Sequence, residues 1–226
     1  MSPLVRPPAP PAEYGANRAE LAAEAVAAQI IAGRLKPGSR LREVELAAAL
    51  GVSRNTFREA IKILAGRGLV VLQRHRSAVV ATLSADSVRD LYRIRRLLEL
   101  SAIDAARGSP AEAYHELGAA IAALAAAADD PGPSVITADL DFHRAIVRLH
   151  KSPRIDHSYA ACLDELRLGL ALIDARTTPL AGLMAEHRRI YGLLLAGQHD
   201  ECRAALEEHL AASERQLLAA VAAGDQ

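Results

Sequence analysis

The chain has 226 residues, of which 51% are apolar, and its 27 basic and 27 acidic side chains give a formal net charge of zero at pH 7. The apolar residues are mainly Ala and Leu, with two Phe and no Trp, and this composition favours helix over sheet. No apolar run reaches the ~20 residues of a membrane span, and no signal-peptide pattern is present. Because Cys162 and Cys202 have no metal-binding spacing, we expect a reduced, cytoplasmic protein.

The zero net charge conceals an asymmetry along the chain. Residues 16–83 contain 11 Lys or Arg against five Asp or Glu, whereas residues 84–226 contain 15 against 21. Such a distribution indicates that only the first part meets a polyanion, although chance clustering is an alternative explanation.

The first third of the chain has the pattern of a small DNA-binding domain. Residues 1–15 are rich in Pro and Ala and are predicted to form a disordered tail. Hydrophobic periodicity and turn residues then predict three helices and two short strands, at residues 17–32, 43–50, 54–66, 69–72 and 78–81. Gly51 in a short connection and Ser53 as an N-cap are typical of a helix-turn-helix, and the hairpin after it is a wing with a basic tip.

The second helix of this unit is predicted to enter the major groove of double-stranded DNA. Arg54 and Arg58 share one face, where they can contact guanine edges or phosphates. An ordinary solvated face is the alternative for such a pair, but its position at the start of a recognition helix favours DNA contact. The predicted DNA-binding residues are Arg54, Asn55, Thr56 and Arg58 on the helix, and Arg74, His75 and Arg76 on the wing tip.

This segment contains five short motifs, which are Leu35-Lys36-Pro37-Gly38-Ser39-Arg40-Leu41, Glu45-Leu46-Ala47, Leu50-Gly51-Val52-Ser53-Arg54, Arg58-Glu59-Ala60 and Gly68-Leu69-Val70. Together these motifs resemble the GntR family. The chain departs from the usual family pattern at Asn55-Thr56, where Thr-Pro is common, and at Ser77, where Gly is common. The resemblance implies a winged helix-turn-helix over residues 16–83, and the departures affect the operator sequence it reads.

The rest of the chain, residues 84–226, shows only helical periodicity. Six helices with short connections are predicted, at residues 85–107, 110–128, 135–150, 154–176, 179–196 and 200–223. We therefore predict a mostly α protein in which an N-terminal winged helix-turn-helix, with a small β-hairpin, precedes an all-α antiparallel bundle.

Four side chains of the bundle have spacings that suit a metal site. Asp139 and His143 are four residues apart and therefore lie on one helical face. His187 and His209 are each 11 residues from Gln198, so they lie level with each other if the flanking helices form an antiparallel hairpin. One Asp and three His suit zinc, nickel, manganese or cobalt, while an ordinary surface or core position is the alternative for any single histidine.

A second resemblance concerns the same four residues. The segments Asp139-Leu140-Asp141-Phe142-His143-Arg144, Glu186-His187-Arg188 and His209-Leu210 resemble the FCD ligand-binding domain of FadR-type GntR regulators. The segment from Asp90 to Glu99 resembles the opening helix of that domain. The resemblance implies that Asp139, His143, His187 and His209 bind a divalent metal, with zinc or nickel preferred. It also implies that a small organic acid coordinates the metal and that Arg95 pairs with the carboxylate of this effector.

The resulting hypothesis is a non-enzymatic transcriptional regulator, a repressor or an activator, that binds a palindromic operator as a homodimer and responds to a small carboxylate. We also consider a metal-dependent hydrolase fused to a DNA-binding segment, although no general base is evident. A third possibility is a purely structural metal. No membrane partner is expected.

Overall fold

The structure is a computed structural model, and it describes residues 12–73, 78–127, 133–170 and 180–224. The chain divides into two compact units, Met1–Ala81 and Thr82–Gln226. The predicted fold class is confirmed: the N-terminal unit contains helices and a two-stranded hairpin, and the C-terminal unit is helical in its described part. Among the described residues, no helix has both the length and the apolar character required to cross a membrane.

The N-terminal unit has the element order of a winged helix-turn-helix. Its elements are α1 (Ala12–Ile31), α2 (Glu43–Ala49), α3 (Arg54–Gly66), β1 (Val70–Leu72) and β2 (Ala78–Val80). The helix α1 begins at Ala12, whereas the sequence predicts a helix from residue 17. No proline follows Pro11 until Pro37, and helix formation from Ala12 onward is therefore unobstructed.

The core of this unit forms between α1 and α3. The buried residues of α3 are Phe57, Ala60, Ile61 and Leu64, a 3–4 spacing that places them on one stripe. Ser53 caps the helix, since its side-chain oxygen accepts a hydrogen bond from the Thr56 amide (3.1 Å). Gly51, in the turn between α2 and α3, has a φ of +63°, a conformation that favours glycine. The buried stripe and the cap together leave the opposite, N-terminal face of α3 exposed.

The wing is an antiparallel hairpin in which Val70 is paired with Val80 and Leu72 with Ala78. Residues 38–41 cover the other edge of β2, where the Leu41 amide donates to the Ala78 carbonyl (2.8 Å). The hairpin is therefore held on both sides of β2, and the predicted wing tip, residues 74–77, lies outside the described residues.

The C-terminal unit consists of helices connected by short segments. They are α4 (Ala85–Arg95), a π-helical turn (Arg96–Leu100), α5 (Ser101–Ala105), a 3-10 turn (Ala111–Tyr114), α6 (His115–Ala126), α7 (Pro133–Arg148), α8 (Pro153–Leu170), α9 (Leu180–Leu195) and α10 (His199–Gly224). Helix α7 packs against α6 and α8, and α10 packs against α4 and α9. The core is built from buried side chains between Val88 and Val221, so α7, α9 and α10 present residues to a common interior.

The helical stretch predicted over residues 85–107 runs in the structure from Ala85 to Ala105, and the π-helical turn at its centre was not predicted. This wider turn leaves backbone carbonyls without their usual helical donors. The Ser101 hydroxyl donates to the Leu97 carbonyl (2.7 Å), and it also lies 3.1 Å from the Leu98 carbonyl. His150 Nε2 lies 3.1 Å from the same Leu98 carbonyl. Apolar periodicity does not report such side-chain bonds, which explains the difference.

Candidate metal centre and DNA-contacting helix

The exposed start of α3 carries the helix residues predicted to contact DNA. Arg54, Asn55 and Arg58 are exposed, and Thr56 is half-buried with its hydroxyl 2.8 Å from the Ser53 hydroxyl. Arg58 Nε donates to Glu43 of α2 (3.3 Å), and the Arg58 side chain is 67% exposed whereas that of Glu43 is 28% exposed. Because the guanidinium is in contact with solvent, the pair contributes little to stability, and Arg58 can leave Glu43 for a phosphate. The wing residues Arg74, His75 and Arg76 lie outside the described residues.

The four residues predicted as metal ligands come together in the interior of the C-terminal unit. Asp139 and His143 project from α7, His187 from α9 and His209 from α10. One ligand atom from each residue lies within 4.8 Å of all the others. The three histidines are buried, and the Asp139 side chain is 13% exposed.

The hairpin of α9 and α10 has the geometry that the sequence predicts. It turns at residues 196–198, and the ring centroids of His187 and His209 are 5.0 Å apart. His143 and His209 lie almost parallel, with Nε2 atoms 3.2 Å apart. The spacing along each helix and the turn between them thus place three imidazoles around one point.

Carboxylates hold the outer nitrogens of two of these histidines. His143 Nδ1 donates to Glu99 Oε2, and His209 Nδ1 donates to Glu186 Oε2, each over 2.7 Å. The Nε2 atoms of both rings consequently face the cluster. Sequence reasoning missed both carboxylates.

His187 has a different environment. Its ring stacks on Phe142 at 4.1 Å between centroids, and among the described residues neither ring nitrogen has a hydrogen-bond partner. Burial, followed by the nearby His143, His209 and Arg95, lowers the pKa of His187 well below its usual value, so its ring stays neutral. Asp139 Oδ1 lies 3.3 Å from His187 Nε2, yet it also has no hydrogen-bond partner within the described ranges. Buried polar atoms without partners are expected where a ligand belongs.

Arg95, the predicted effector contact, is buried next to the cluster. Its Nε donates to Glu99 Oε1 (2.8 Å), and its guanidinium carbon lies 4.9 Å from the ring centroid of Tyr92. Its Nη2 is buried and has no hydrogen-bond partner within the described part of the chain. The Nε–H group of the guanidinium is therefore paired with Glu99, and its Nη2 group is available to an anion.

Glu99 connects Arg95 to the histidines. Burial alone raises a carboxyl pKa, but the Arg95 charge and the hydrogen bonds from His143 and Tyr159 outweigh it and lower the pKa of Glu99 to about 2. Burial raises the pKa of Tyr159 well above its usual value, so this phenol keeps its proton and donates to Glu99 (2.6 Å). The four-residue separation of Arg95 and Glu99 was the only sequence signal for this pair.

Comparisons with known proteins agree with both units. Residues 18–80 match the family described as bacterial regulatory proteins, gntR family, and residues 90–212 match the FCD domain family. A protein named probable D-xylose utilization operon transcriptional repressor from Paenarthrobacter nicotinovorans is 30% identical over 185 residues, which is 81% of each chain. The transcriptional regulator LutR of Bacillus subtilis is 28% identical over 79% of this chain and 91% of its own.

A solved structure extends the likeness to three dimensions. The GntR transcriptional regulator from Rhodococcus sp. RHA1 has a TM-score of 0.80 and 30% sequence identity, covering 90% of this chain and 98% of its own. Together with the motifs in the N-terminal unit and the family matches to both units, this result confirms the predicted resemblance. The chain belongs to the GntR family of DNA-binding transcriptional regulators, and its C-terminal unit contains an FCD domain.

Proposed function

We propose that this regulator binds a palindromic operator as a homodimer and that a divalent metal and a small carboxylate in its C-terminal unit control this binding. Asp139, His143, His187 and His209 hold the metal, with zinc or nickel preferred and manganese or cobalt possible as well. Arg95 pairs with the carboxylate of the effector. The observation that carries the proposal is the convergence of these four ligands, which include buried atoms of Asp139 and His187 that have no hydrogen-bond partner in the described part of the chain.

The donor set fits such an ion in chemistry and in size. Ligand atoms about 2.0–2.1 Å from zinc at tetrahedral angles are roughly 3.3 Å apart. The His143–His209 Nε2 separation is 3.2 Å, the distance from His187 Nε2 to Asp139 Oδ1 is 3.3 Å, and that from His143 Nε2 to Asp139 Oδ1 is 3.9 Å. Neutral imidazoles and one carboxylate are the ligands that borderline divalent ions prefer.

With four ligands from the protein, a divalent ion would bind an exogenous carboxylate oxygen as a fifth ligand, by the expansion from four to five ligands that zinc shows, and it would supply a Lewis-acidic centre there. Arg95 holds a second position for this ligand, since its buried Nη2 is unpartnered among the described side chains. Arg95 is the last residue of α4, Glu99 lies in the π-helical turn that follows, and three residues separate the end of the N-terminal unit from the start of α4. The dimer would have one arrangement whose recognition helices match the operator and another whose helices do not. The effector can change operator affinity only if it binds these two arrangements with different affinities.

On DNA, the N-terminal unit uses α3 and the wing. Arg54, Asn55, Thr56 and Arg58 contact base edges and phosphates, and Arg74, His75 and Arg76 add contacts to the backbone or minor groove. A single recognition helix and wing bury little surface, so specificity requires two copies on a two-fold symmetric site.

Metal content of the purified protein tests the site directly. We expect about one divalent ion per chain in the wild type and its loss in His143→Ala and His187→Ala, because each removes one of four ligands. His115→Ala is the matched control, since His115 is exposed and its Nδ1 contacts the Glu112 carbonyl outside the cluster. A wild-type protein that stays metal-free after incubation with zinc or nickel contradicts the site.

Operator affinity at fixed salt then tests the control of DNA binding. Adding a metal-chelating carboxylate such as citrate to the metal-loaded protein should change operator affinity, and Arg95→Met should abolish this response. If metal removal lowers the melting temperature but operator affinity responds neither to metal nor to acid, the metal is structural and the regulatory proposal is wrong.

A further inference from the structure

Three hydrogen-bond donors from the described residues surround the carboxylate of Glu99. Arg95 Nε (2.8 Å) and the Tyr159 hydroxyl (2.6 Å) both donate to Oε1, and His143 Nδ1 contacts Oε2 (2.7 Å). The side chain is fully buried, so no solvent competes for these bonds. Two donors thus fix one oxygen, and the other oxygen is left to His143.

We propose that Glu99 is a positioning residue for the metal site, because its carboxylate decides which nitrogen of His143 carries the proton. A carboxylate can only accept hydrogen bonds, and a neutral imidazole has a single N–H. The proton therefore resides on Nδ1, and Nε2 keeps a lone pair. This inference rests on the proposed metal site for its purpose, although the proton position itself does not depend on a metal.

The position of His143 Nε2 explains why the location of the proton matters for metal binding. It lies 3.2 Å from His209 Nε2 and 3.9 Å from Asp139 Oδ1, on the side of the ring that faces the cluster. In the opposite tautomer, an N–H would point into the space between the ligands, and Nε2 could not coordinate an ion. Fixing the tautomer before binding also removes one ordering step from metal binding.

The π-helical turn gives Glu99 a fixed position relative to α7. The carbonyl of Leu98, a residue of this turn, lies 3.1 Å from His150 Nε2. His150 follows α7, the helix that carries Asp139 and His143. The turn therefore has a side-chain connection to the helix of two ligands, in addition to the bond from Glu99 to His143. We infer that the turn keeps the carboxylate level with the imidazole.

The unequal roles of the two oxygens lead to a sharp expectation for Glu99→Gln. The glutamine oxygen should occupy the place of Oε1, where Arg95 and Tyr159 both donate. Its NH2 group then faces His143 Nδ1 and can only donate, so the proton of His143 must move to Nε2. A nearly isosteric substitution thus inverts the tautomer.

Glu186 offers a matched control. It accepts from His209 Nδ1 over the same 2.7 Å, but its side chain is 51% exposed. In Glu186→Gln the amide can rotate to present its oxygen to His209, because solvent satisfies the remaining groups. We therefore expect the His209 tautomer to be retained in this variant.

The test is nitrogen NMR of the metal-free protein with 15N-labelled histidine at mildly alkaline pH, where the two tautomers have distinct shifts. We expect His143 to be protonated at Nδ1 in the wild type and in Glu186→Gln, and at Nε2 in Glu99→Gln. An Nε2-protonated His143 in the wild type, or an unchanged tautomer in Glu99→Gln, overturns the inference. If unpaired Arg95 prevents Glu99→Gln from folding, Arg95→Met/Glu99→Gln removes both charges while Tyr159 still orients the amide.

Zinc affinity of the same variants, measured by competition with a chromogenic chelator, provides the second readout. Glu99→Gln should weaken binding by about 10–100-fold, the range typical for partners of metal-bound histidines, and Glu186→Gln should weaken it less. Equal affinities of wild type and Glu99→Gln contradict the positioning role. A wild type that binds no metal contradicts the proposed function instead, and the NMR result then decides this inference separately.

Discussion

His187 is a histidine of the cluster whose protonation is opposed by its surroundings. It is fully buried, it stacks on Phe142, and its pKa lies well below that of an exposed histidine. The pKa of His209 is also lowered, chiefly by burial. In the unfolded chain both rings titrate near their ordinary value of about 6.5. Acidification should therefore favour the unfolded state of the metal-free protein.

The expected pH dependence has a definite sign. Above about pH 6.5 neither state holds the proton on His187, whereas below it only the unfolded state does, so the free energy of unfolding falls as pH decreases. Each such histidine contributes a slope of up to about 1.4 kcal/mol per pH unit. His187→Gln removes one contribution and should give a shallower decline between roughly pH 6.5 and 5.5 in urea titrations with chelator present. His115→Gln, at an exposed position, should keep the wild-type slope, and equal slopes in all three proteins contradict the argument.

At the residue scale, the sequence predicts contacts within one helix or across one hairpin. Asp139 and His143 follow from helical geometry, and His187 and His209 from their equal distance to the turn. Glu99 contacts His143 from 44 residues away, and no local spacing encodes how the π-helical turn packs against α7. Glu186 adjoins His187 in sequence but pairs with His209 on the facing helix, so its role also depended on packing.

At the element scale, two glycines in helices report how closely their neighbours approach. A Cβ added to Gly169 in α8 would lie 2.7 Å from Leu83 Cδ1 and 3.1 Å from Leu217 Cδ1. A Cβ at Gly192 in α9 would have no atom within 4 Å. Both glycines lie inside a helix and lack positive φ, so they differ mainly in the space around them.

We expect Gly192→Ala to stabilise the protein by about 0.5–1 kcal/mol, because alanine loses less backbone entropy in a helix. Gly169→Ala gains the same entropy but must displace two leucine side chains, and overpacking typically costs about 1–3 kcal/mol. Because the leucine atoms nearest to the added Cβ are the flexible ends of side chains, we expect an overpacking cost at the lower end of this range. The net effect of Gly169→Ala on the free energy of unfolding should therefore be near zero or destabilising. Urea unfolding of both variants measures the difference, and an equal gain in both contradicts the close packing of α8.

The sequence predicts where helices and strands occur better than it predicts an irregular turn within a helix. The helical stretches and the hairpin follow from periodicity and from glycine and proline breaks, and the structure contains them within a few residues. The π-helical turn was missed because side chains form the hydrogen bonds that stabilise it. One is that of Ser101, directly after the turn, and the other is that of His150, which is 52 residues from Leu98. Residues 171–176, expected to continue α8, lie outside the described residues.

At the scale of the whole molecule, the distribution of charge should matter more than its sum. The chain is formally neutral, yet residues 16–83 have six more basic than acidic side chains, and residues 84–226 have six fewer. A neutral protein has little long-range attraction for DNA, whereas a basic unit that contacts phosphates releases condensed counterions whatever the rest of the chain carries. Operator affinity should consequently fall steeply with salt.

The salt dependence can be assigned to α3 with two variants. Arg54 and Lys62 are both exposed cations of this helix, but Arg54 is at its start, and Lys62 is two turns further along and pairs with Glu59 (2.8 Å). If Arg54 neutralises a phosphate, Arg54→Ala should reduce the slope of log affinity against log salt by about 1 per bound chain and weaken binding to all sequences alike. If it reads a guanine, the variant should instead lose about 1–3 kcal/mol at one base position. Lys62→Ala should leave both quantities unchanged in fluorescence anisotropy titrations, and equal effects of the two substitutions would mean that the start of α3 does not face DNA.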